Sequence, residues 1–379
     1  MARAGATIVN GTPCTRRSAT LPPRPRPADP PTVDPRVAAR AARLRHVSDT
    51  APGLTRRRAG AGFVYRHPDG RVVRDEATLQ RIRSLGIPPA WRDVWICAHP
   101  HGHLQAVGYD ARGRKQYLYH SRWREVREQT KFEHMLTFAA ALPTLRERVA
   151  ADLRLPGLPR DKVLAAVVRL MERTLGRIGN LEYARQNESF GLTTLRRRHV
   201  QVQGGRIELD FTGKHGVRYH KVVSDAVLAR IIRRCTDLPG SELFKYTDER
   251  GVPHRVASEH VNHYLRRISG QHITAKDFRT WAATSLSVLA VVQLGDARPT
   301  ARTAAAVVQA VAVQLGNTPA VCRKSYIHPR LLAGYLDGSL QPHLKALAGA
   351  APQAALAEAE RLVARLLAQW GSPRRPART

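Results

Sequence analysis

Between Gly62 and Tyr119 strand-forming residues come in short runs broken by Gly, Pro and Asp, and beyond residue 160 the apolar spacing turns helical. That change of period constrains the chain most, because a strand pattern and a helix pattern cannot share one uniform architecture. Gly62–Arg66 and Arg71–Val73, flanking Pro68-Asp69-Gly70, read as a β-hairpin. Asp75 to Leu85 reads as a short helix stopped by Gly86 and Pro88-Pro89. Val94–Ala98, His103–Tyr109 and Lys115–Tyr119 read as three further strands.

Residues 161–178 place Val163, Leu164, Val167, Val168, Met171, Leu175 and Ile178 on one helical face. Three strands then follow, His199–Gln203, Arg206–Phe211 and Val217–Val222, linked by the Gly204-Gly205 and Thr212–Gly216 turns. Helices are expected from Ser224, read as an N-cap, and from Ser258, Thr274, Thr300 and Thr318-Pro319. Thr274 and Asp277 have capping-box spacing. A last Ala/Leu helix spans about 346–370. The fold class expected is α+β, a small β-rich domain followed by a larger, mainly helical domain that carries a short β-hairpin sheet. The expected partition is a disordered Pro/Ala/Arg-rich tail at 1–58, a β-rich domain at 59–138, a helical domain at 139–345, and a C-terminal helix with basic tail at 346–379.

Charge narrows the function. Lys and Arg number 62 against 30 Asp and Glu, a formal net charge of +32. Such a field attracts polyanions, nucleic acid above all. No apolar run approaches a membrane-spanning helix, and the N-terminus shows no signal-peptide core. Residues 1–58 hold twelve Arg against three Asp. Only nine of the chain's basic residues are Lys, so each lysine can be weighed individually. Cys14, Cys97, Cys235 and Cys322 form no CxxC pair and read as free thiols in a reducing cytoplasm. Cys97, His99, His101 and His103 crowd into one tight turn, where four ligands cannot converge tetrahedrally, so no metal site is expected.

One segment near the end of the body carries chemistry. Asn317-Thr318-Pro319 opens a short helix, and Tyr326 stands just past its end, before Ile327-His328-Pro329. A tyrosine hydroxyl is a poor nucleophile in water, but beside arginines that hold a phosphodiester it can attack phosphorus. Arginine suits that task because its planar fork binds phosphate bidentately and stays protonated.

Leu175-Gly176-Arg177-Ile178-Gly179-Asn180 with Arg185–Leu195, Phe211-Thr212-Gly213-Lys214, Thr274–Trp281, and Asn317 through Tyr326 resemble, in this order, the catalytic motifs of type IB DNA topoisomerases, in their small bacterial or poxvirus-like form. Gly102–Ala106 and Gly113–His120 resemble that family's DNA-clamping N-terminal domain, and the likeness spans roughly residues 60–340. It implies a helical domain of the tyrosine recombinase/topoisomerase IB type. It implies Tyr326 as nucleophile, Arg177 and Arg279 as transition-state stabilisers, and Lys214 as the acid for the leaving 5′ oxygen. Asn317 stands where many relatives carry His, a departure that keeps a hydrogen-bond donor but removes a charge. Gln116, Tyr117 and Tyr119 are the expected DNA contacts of the small domain, and Arg196 and Arg198 those of the large one. The same likeness implies relaxation of supercoils of either sign through a 3′-phosphotyrosyl intermediate, with duplex DNA as partner. It implies no cofactor, no ATP and no metal, and a monomer in the cytoplasm, associated with the nucleoid. Two rivals share features. Tyrosine recombinases use similar chemistry but usually carry His two residues before the second arginine, where this chain has Asp277. A noncatalytic basic DNA-coating protein would need no ordered Arg/Lys/Arg/Tyr set.

Overall fold

The computed structural model describes residues 35–111, 113–295, 297–344, 347 and 352–371. The expected disorder of residues 1–34, together with Cys14 and the basic end after 371, lies outside the described residues.

The first elements are α1 (Pro35–Ala41), β1 (Leu54–Ala59), β2 (Gly62–Arg66), α2 (Glu76–Ser84), β3 (Arg92–Ile96), β4 (Leu104–Tyr109) and β5 (Lys115–Tyr119). The strands form one antiparallel sheet in the order β2-β1-β3-β4-β5. Two expectations need correction. The tail does not run to residue 58, because α1 and β1 lie within it. One arginine of the stretch read as tail is structural. The Arg56 guanidinium donates to the carbonyls of Ile87, Pro88 and Trp91 and stacks 4.2 Å from the Phe63 ring centre. The hairpin partner of β2 is therefore β1, through a two-residue turn whose Gly60 takes the left-handed φ of 55°. The Pro68-Asp69-Gly70 turn does form, but residues 71–73 add only the single bridge Arg66↔Val72. Leu54, Val73, Ile82, Val94, Ile96 and Ala106 make the small core beneath α2, whose first turn is capped by Asp75 accepting from the Thr78 amide at 2.8 Å.

Next comes α3 (Ser121–Asp152), 32 residues without a break at the expected 138/139 boundary. Phe132, Met135, Phe138, Leu142, Leu145 and Val149 of this helix all belong to the large second core. That burial explains why the helix continues through position 138 and past Pro143. Its first turns belong elsewhere: Trp123 packs with Ala38, Ala39, Ala42 and Leu44 around α1.

The rest is helical around a small sheet: α4 (Arg160–Thr174), α5 (Leu181–Asn187), β6 (Val200–Gln203), β7 (Arg206–Thr212), β8 (Arg218–Ser224), α6 (Ala226–Asp237), β9 (Lys245–Thr247), β10 (Pro253–Arg255), α7 (Ser258–Ser269), α8 (Ala275–Gln293), α9 (Ala301–Leu315), α10 (Pro319–Ser325), α11 (Pro329–Leu336), α12 (Gln341–Leu344) and α13 (Pro352–Gly371). β6, β7 and β8 form an antiparallel meander. The chain is thus mixed, an N-terminal sheet followed by a helical C-terminal region. α4 and α8 are buried over most of their surface, as central helices must be. Asp225 rather than Ser224 caps α6, accepting from the Leu228 amide at 3.0 Å, because Ser224 still pairs in β8. At the start of α8, Asp277 accepts from both the amide and the hydroxyl of Thr274 at 2.8 Å. Among the described residues no single helix is long and apolar enough to cross a membrane.

The helix expected over 161–178 stops at Thr174. Leu175 takes a left-handed φ of 58°, and the chain runs on outside any helix or strand through Gly176–Gly179, the last with φ 92°. There the Leu192 and Thr193 amides donate to the carbonyls of Arg177 and Ile178 at 2.9 and 2.7 Å. This crossing needs glycine on both sides. A Cβ on Gly191 would lie 2.5 Å from the Gly179 Cα and amide nitrogen, backbone atoms that cannot yield. Gly191→Ala is therefore expected to destabilise the protein by about 1–3 kcal/mol, as overpacking does. Gly205→Ala meets only ordinary contacts at 3.4 Å and should be near neutral. Calorimetric melting of the two variants checks this, and equal melting temperatures would contradict the close crossing.

Candidate active site

Arg177 and Arg279 arrive from segments a hundred residues apart and meet at the ends of two helices. The left-handed turn at Leu175 ends α4 and turns its carbonyl towards Arg279, whose guanidinium donates to it. The second terminal nitrogen of Arg279 donates to the Leu315 carbonyl, the last of α9, at 2.9 Å. Gly316, at φ 60°, ends α9, and its carbonyl accepts from both terminal nitrogens of Arg177 at 3.3 Å. Arg177 also donates to the Asn317 side-chain oxygen.

Both arginines thus donate to main-chain carbonyls at helix C-termini, which carry partial negative charge. Arg279 is 3% exposed, and among the described residues no carboxylate pairs with it. A buried cation matched only by dipoles retains a strong attraction for an anion. Two donors here are buried without partners: the Arg279 Nε and the Asn317 amide nitrogen. Because the Asn317 oxygen faces Arg177, its NH2 group is turned away from that guanidinium and is free to donate.

Tyr326 closes the group. Thr318 caps α10, Pro319 occupies its first turn, and the Tyr326 amide ends it by donating to the Cys322 carbonyl at 3.0 Å. The Thr284 hydroxyl of α8 lies 3.3 Å from the Tyr326 carbonyl and accepts from the His328 amide at 3.2 Å. This clamps the chain on both sides of the tyrosine. The Arg279 guanidinium stands 5.1 Å from the centre of the Tyr326 ring. Burial pushes the Tyr326 phenol up. The opposing pull of Arg279, helped by Arg177 and Lys276, outweighs it and leaves the phenol below its usual range.

Of the five expected catalytic residues the structure brings four together: Arg177, Arg279, Asn317 and Tyr326. Lys214 lies exposed in the turn Lys214–Gly216 at the tip of the β7–β8 hairpin. Tyr219, near that tip, donates its hydroxyl to the Thr174 carbonyl, which anchors the hairpin one residue from Leu175. Burial raises the Tyr219 phenol, against the lowering charges of Arg279 and Arg177. Tyr219 and Lys276 are thus neighbours of the site that the motifs did not single out. Two plain signals could have found them: Lys276 sits three residues before Arg279 on one helix face, and Tyr219 lies on the inward-facing register of β8.

The expected DNA contacts divide. Tyr117 and Tyr119 are 44% and 39% exposed on one face of β5, rings 6.1 Å apart and nearly parallel. The Lys115 ammonium lies 5.6 Å from the Tyr117 ring. Gln116 falls on the opposite face by strand alternation, and its amide donates to Asp110 at 2.9 Å. Arg196, just before the turn Arg197–His199, and Arg198, within it, are exposed, with Arg196 5.5 Å from the Phe190 ring centre. In the Cys97–His103 turn, the His103 Nδ1 accepts from the Val47 amide at 3.0 Å and the ring packs against His46 and Trp123. Among the described residues no three His, Cys, Asp or Glu side chains converge to hold a metal ion.

Comparison with known proteins gives the chain's relatives. Residues 120–339 match the family described as eukaryotic DNA topoisomerase I, catalytic core, and residues 62–110 match that described as bacterial DNA topoisomerase IB, N-terminal domain. The chain is 32% identical to DNA topoisomerase 1B of Acanthamoeba polyphaga mimivirus over 285 residues, 73% of this chain and 85% of that one. It is 21% identical to DNA topoisomerase 1B of Vaccinia virus (strain Copenhagen) over 231 residues, covering 60% and 70%. It is 22% identical to DNA topoisomerase 1 of Rabbit fibroma virus (strain Kasza) over 291 residues, covering 70% and 86%.

The electrostatics of Tyr326 can be read directly. In protein carrying ring-labelled tyrosine, with the signal assigned through Tyr326→Phe, the Tyr326 phenol should titrate below the ordinary tyrosine range near pH 10. Arg279→Gln removes the largest lowering charge and should move that midpoint upward. An unchanged midpoint would contradict control of the phenol by Arg279.

Proposed function

Since the chain belongs to the type IB DNA topoisomerases, we propose that it relaxes supercoils of either sign by cutting one DNA strand at Tyr326, letting the strand swivel, and resealing it. The observation that carries this reading is the convergence of two arginines, a free amide donor and a tyrosine held low in pKa, from three separate segments of the fold.

The geometry supports the following chemistry. The Tyr326 oxygen attacks phosphorus and gives up its proton to solvent water as the new P–O bond forms. The bond from phosphorus to the 5′ oxygen breaks, and that oxygen leaves as a 5′-OH after taking a proton from Lys214. The 3′ end stays covalently attached to Tyr326. Negative charge that builds on the nonbridging oxygens meets the guanidiniums of Arg177 and Arg279 and the Asn317 NH2 group, all fixed before DNA arrives. Asn317 donates a hydrogen bond without adding charge, so the two arginines and Lys214 supply all the positive charge among these catalytic residues. The phosphotyrosine conserves the energy of the broken bond, so resealing needs no ATP, and the guanidiniums do the electrostatic work that a metal does elsewhere. Lys214 reaches the leaving oxygen by movement of its exposed hairpin tip. Tyr117 and Tyr119, with Arg196 and Arg198, bind the duplex, the tyrosines against sugar and base edges and the arginines along the backbone. Torsional strain in the DNA supplies the free energy of relaxation, and the protein acts as a monomer.

The direct experiment is relaxation of positively and negatively supercoiled plasmid in EDTA without ATP. Wild type should relax both, and Tyr326→Phe neither, while still binding DNA with the steep salt dependence of phosphate contacts. Failure of wild type to relax either sign would overturn the proposal.

The role of Lys214 is separable. Lys214→Ala and Arg279→Ala should each slow cleavage by about 10²–10³-fold. Replacing the bridging 5′ oxygen by sulfur gives a leaving group that needs no proton. That substrate should restore cleavage to Lys214→Ala but not to Arg279→Ala. Equal restoration of both, or of neither, would contradict Lys214 as the acid.

A further inference from the structure

α13 lies beyond residue 339, where the match to the catalytic core ends, yet it packs onto the helices that carry the site. Ala359, Leu362, Val363, Leu366 and Leu367 are buried in the large core. Glu360 accepts from the Trp281 indole at 3.0 Å and from Arg146 at 2.8 and 2.9 Å, fastening α13 to α8 and α3. These contacts hold the helix in place. Those at its other end reach the reaction.

The Trp370 indole stacks on the His328 ring, centres 4.7 Å apart and planes 26° apart. Phe132 of α3 meets the same His328 ring edge-on, also at 4.7 Å. The Trp370 carbonyl accepts from Arg330 at 2.8 Å, which pins the indole end of α13 to α11. His328 is 7% exposed and lies two residues after Tyr326. Its amide donates to the Thr284 hydroxyl, the group that also reaches the Tyr326 carbonyl. The short chain between nucleophile and imidazole is therefore fixed at one end by α8 and at the other by an aromatic stack to which α13 supplies one face.

From this arrangement we infer that Trp370 is a positioning residue for Tyr326: through His328 it holds the nucleophile segment at the angle that in-line attack on phosphorus requires. The inference rests on the proposed role of Tyr326. Without the indole, one face of the imidazole loses its packing partner, and residues 326–328 gain freedom to shift. Displacements of about 1 Å at a reacting group cost on the order of 10²-fold in rate.

The test uses the full chain and a DNA duplex whose short 5′ leaving strand diffuses away after cleavage, so that single-turnover formation of the covalent adduct is measured. Trp370→Ala should slow adduct formation by about 10- to 100-fold while leaving DNA affinity unchanged. Trp370→Phe, which keeps a stacking ring, should restore most of the rate. Leu366→Ala, one turn earlier on the same helix and buried in the large core, should lower the melting temperature at least as much and keep the wild-type rate. If Trp370→Ala fails to fold, Arg330→Met frees the Trp370 carbonyl alone and should give a smaller slowing of the same kind. A wild-type rate in Trp370→Ala, equal slowing in Leu366→Ala, no rescue by Trp370→Phe, or no slowing in Arg330→Met as the substitute overturns the inference. Absence of adduct from the wild type would instead strike the proposed reaction itself.

Discussion

The Arg279 guanidinium, buried between the Leu175 and Leu315 carbonyls, is the interaction on which the rest of the site depends. A charge this far from water is costly unless something answers it. Here the answer is the negative ends of two helices rather than a carboxylate. That choice has a chemical consequence. A carboxylate would neutralise the guanidinium and repel a phosphodiester, whereas carbonyl dipoles hold it in place and leave its charge available. The left-handed residues Leu175 and Gly316 serve this arrangement, because each ends a helix where a carbonyl must turn towards an arginine.

The same logic explains the spacing of the motifs. Arg177 cannot lie on α4, because a helical continuation would carry its carbonyl into the helix ladder and away from the Leu192 amide. The non-helical stretch Gly176–Gly179, crossing Gly191 at backbone contact, places the side chain beside Gly316 and Asn317. Tyr326 then needs only to follow α9 by one short capped helix to reach the guanidinium pair. Thr284, five residues along α8 from Arg279, ties the tyrosine backbone to the helix that carries the arginine. Tyr326 and the two arginines are thus tied to one framework, the condition that electrostatic catalysis without reorganisation requires.

Much of this was legible in the residues. The strands β3 to β5 and the caps at Asp75, Thr274, Thr300 and Thr318 follow from local patterns, since alternation and capping need only near neighbours. The four converging site residues stood out through the order of their motifs. What stayed hidden depended on distant partners. Three consecutive arginines at 56–58 look like a solvated tail until Ile87, Pro88 and Trp91 supply carbonyls for Arg56. α3 shows too weak a periodicity to be singled out, because its two ends serve different cores. The helix at 161–178 was read too long, since Leu175 and Ile178 keep the apolar period after the backbone has left it. The pairing of Gln116 with Asp110, on the face away from Tyr117 and Tyr119, is likewise set by a strand register the residues alone did not disclose.

The central claim is that the anion site exists before DNA binds and keeps its carbonyl anchors during the reaction. The measurement that tests it most directly is a crystal structure with vanadate joining Tyr326 to a DNA 5′-OH end, the geometry of the pentacoordinate state. The account predicts the Tyr326 oxygen at an apical position and the Arg177, Arg279 and Asn317 donors on the equatorial oxygens. Arg279 should still donate to the Leu175 and Leu315 carbonyls. A structure in which Arg279 leaves those carbonyls to reach the vanadate, or in which the equatorial oxygens are met by other groups, would contradict it.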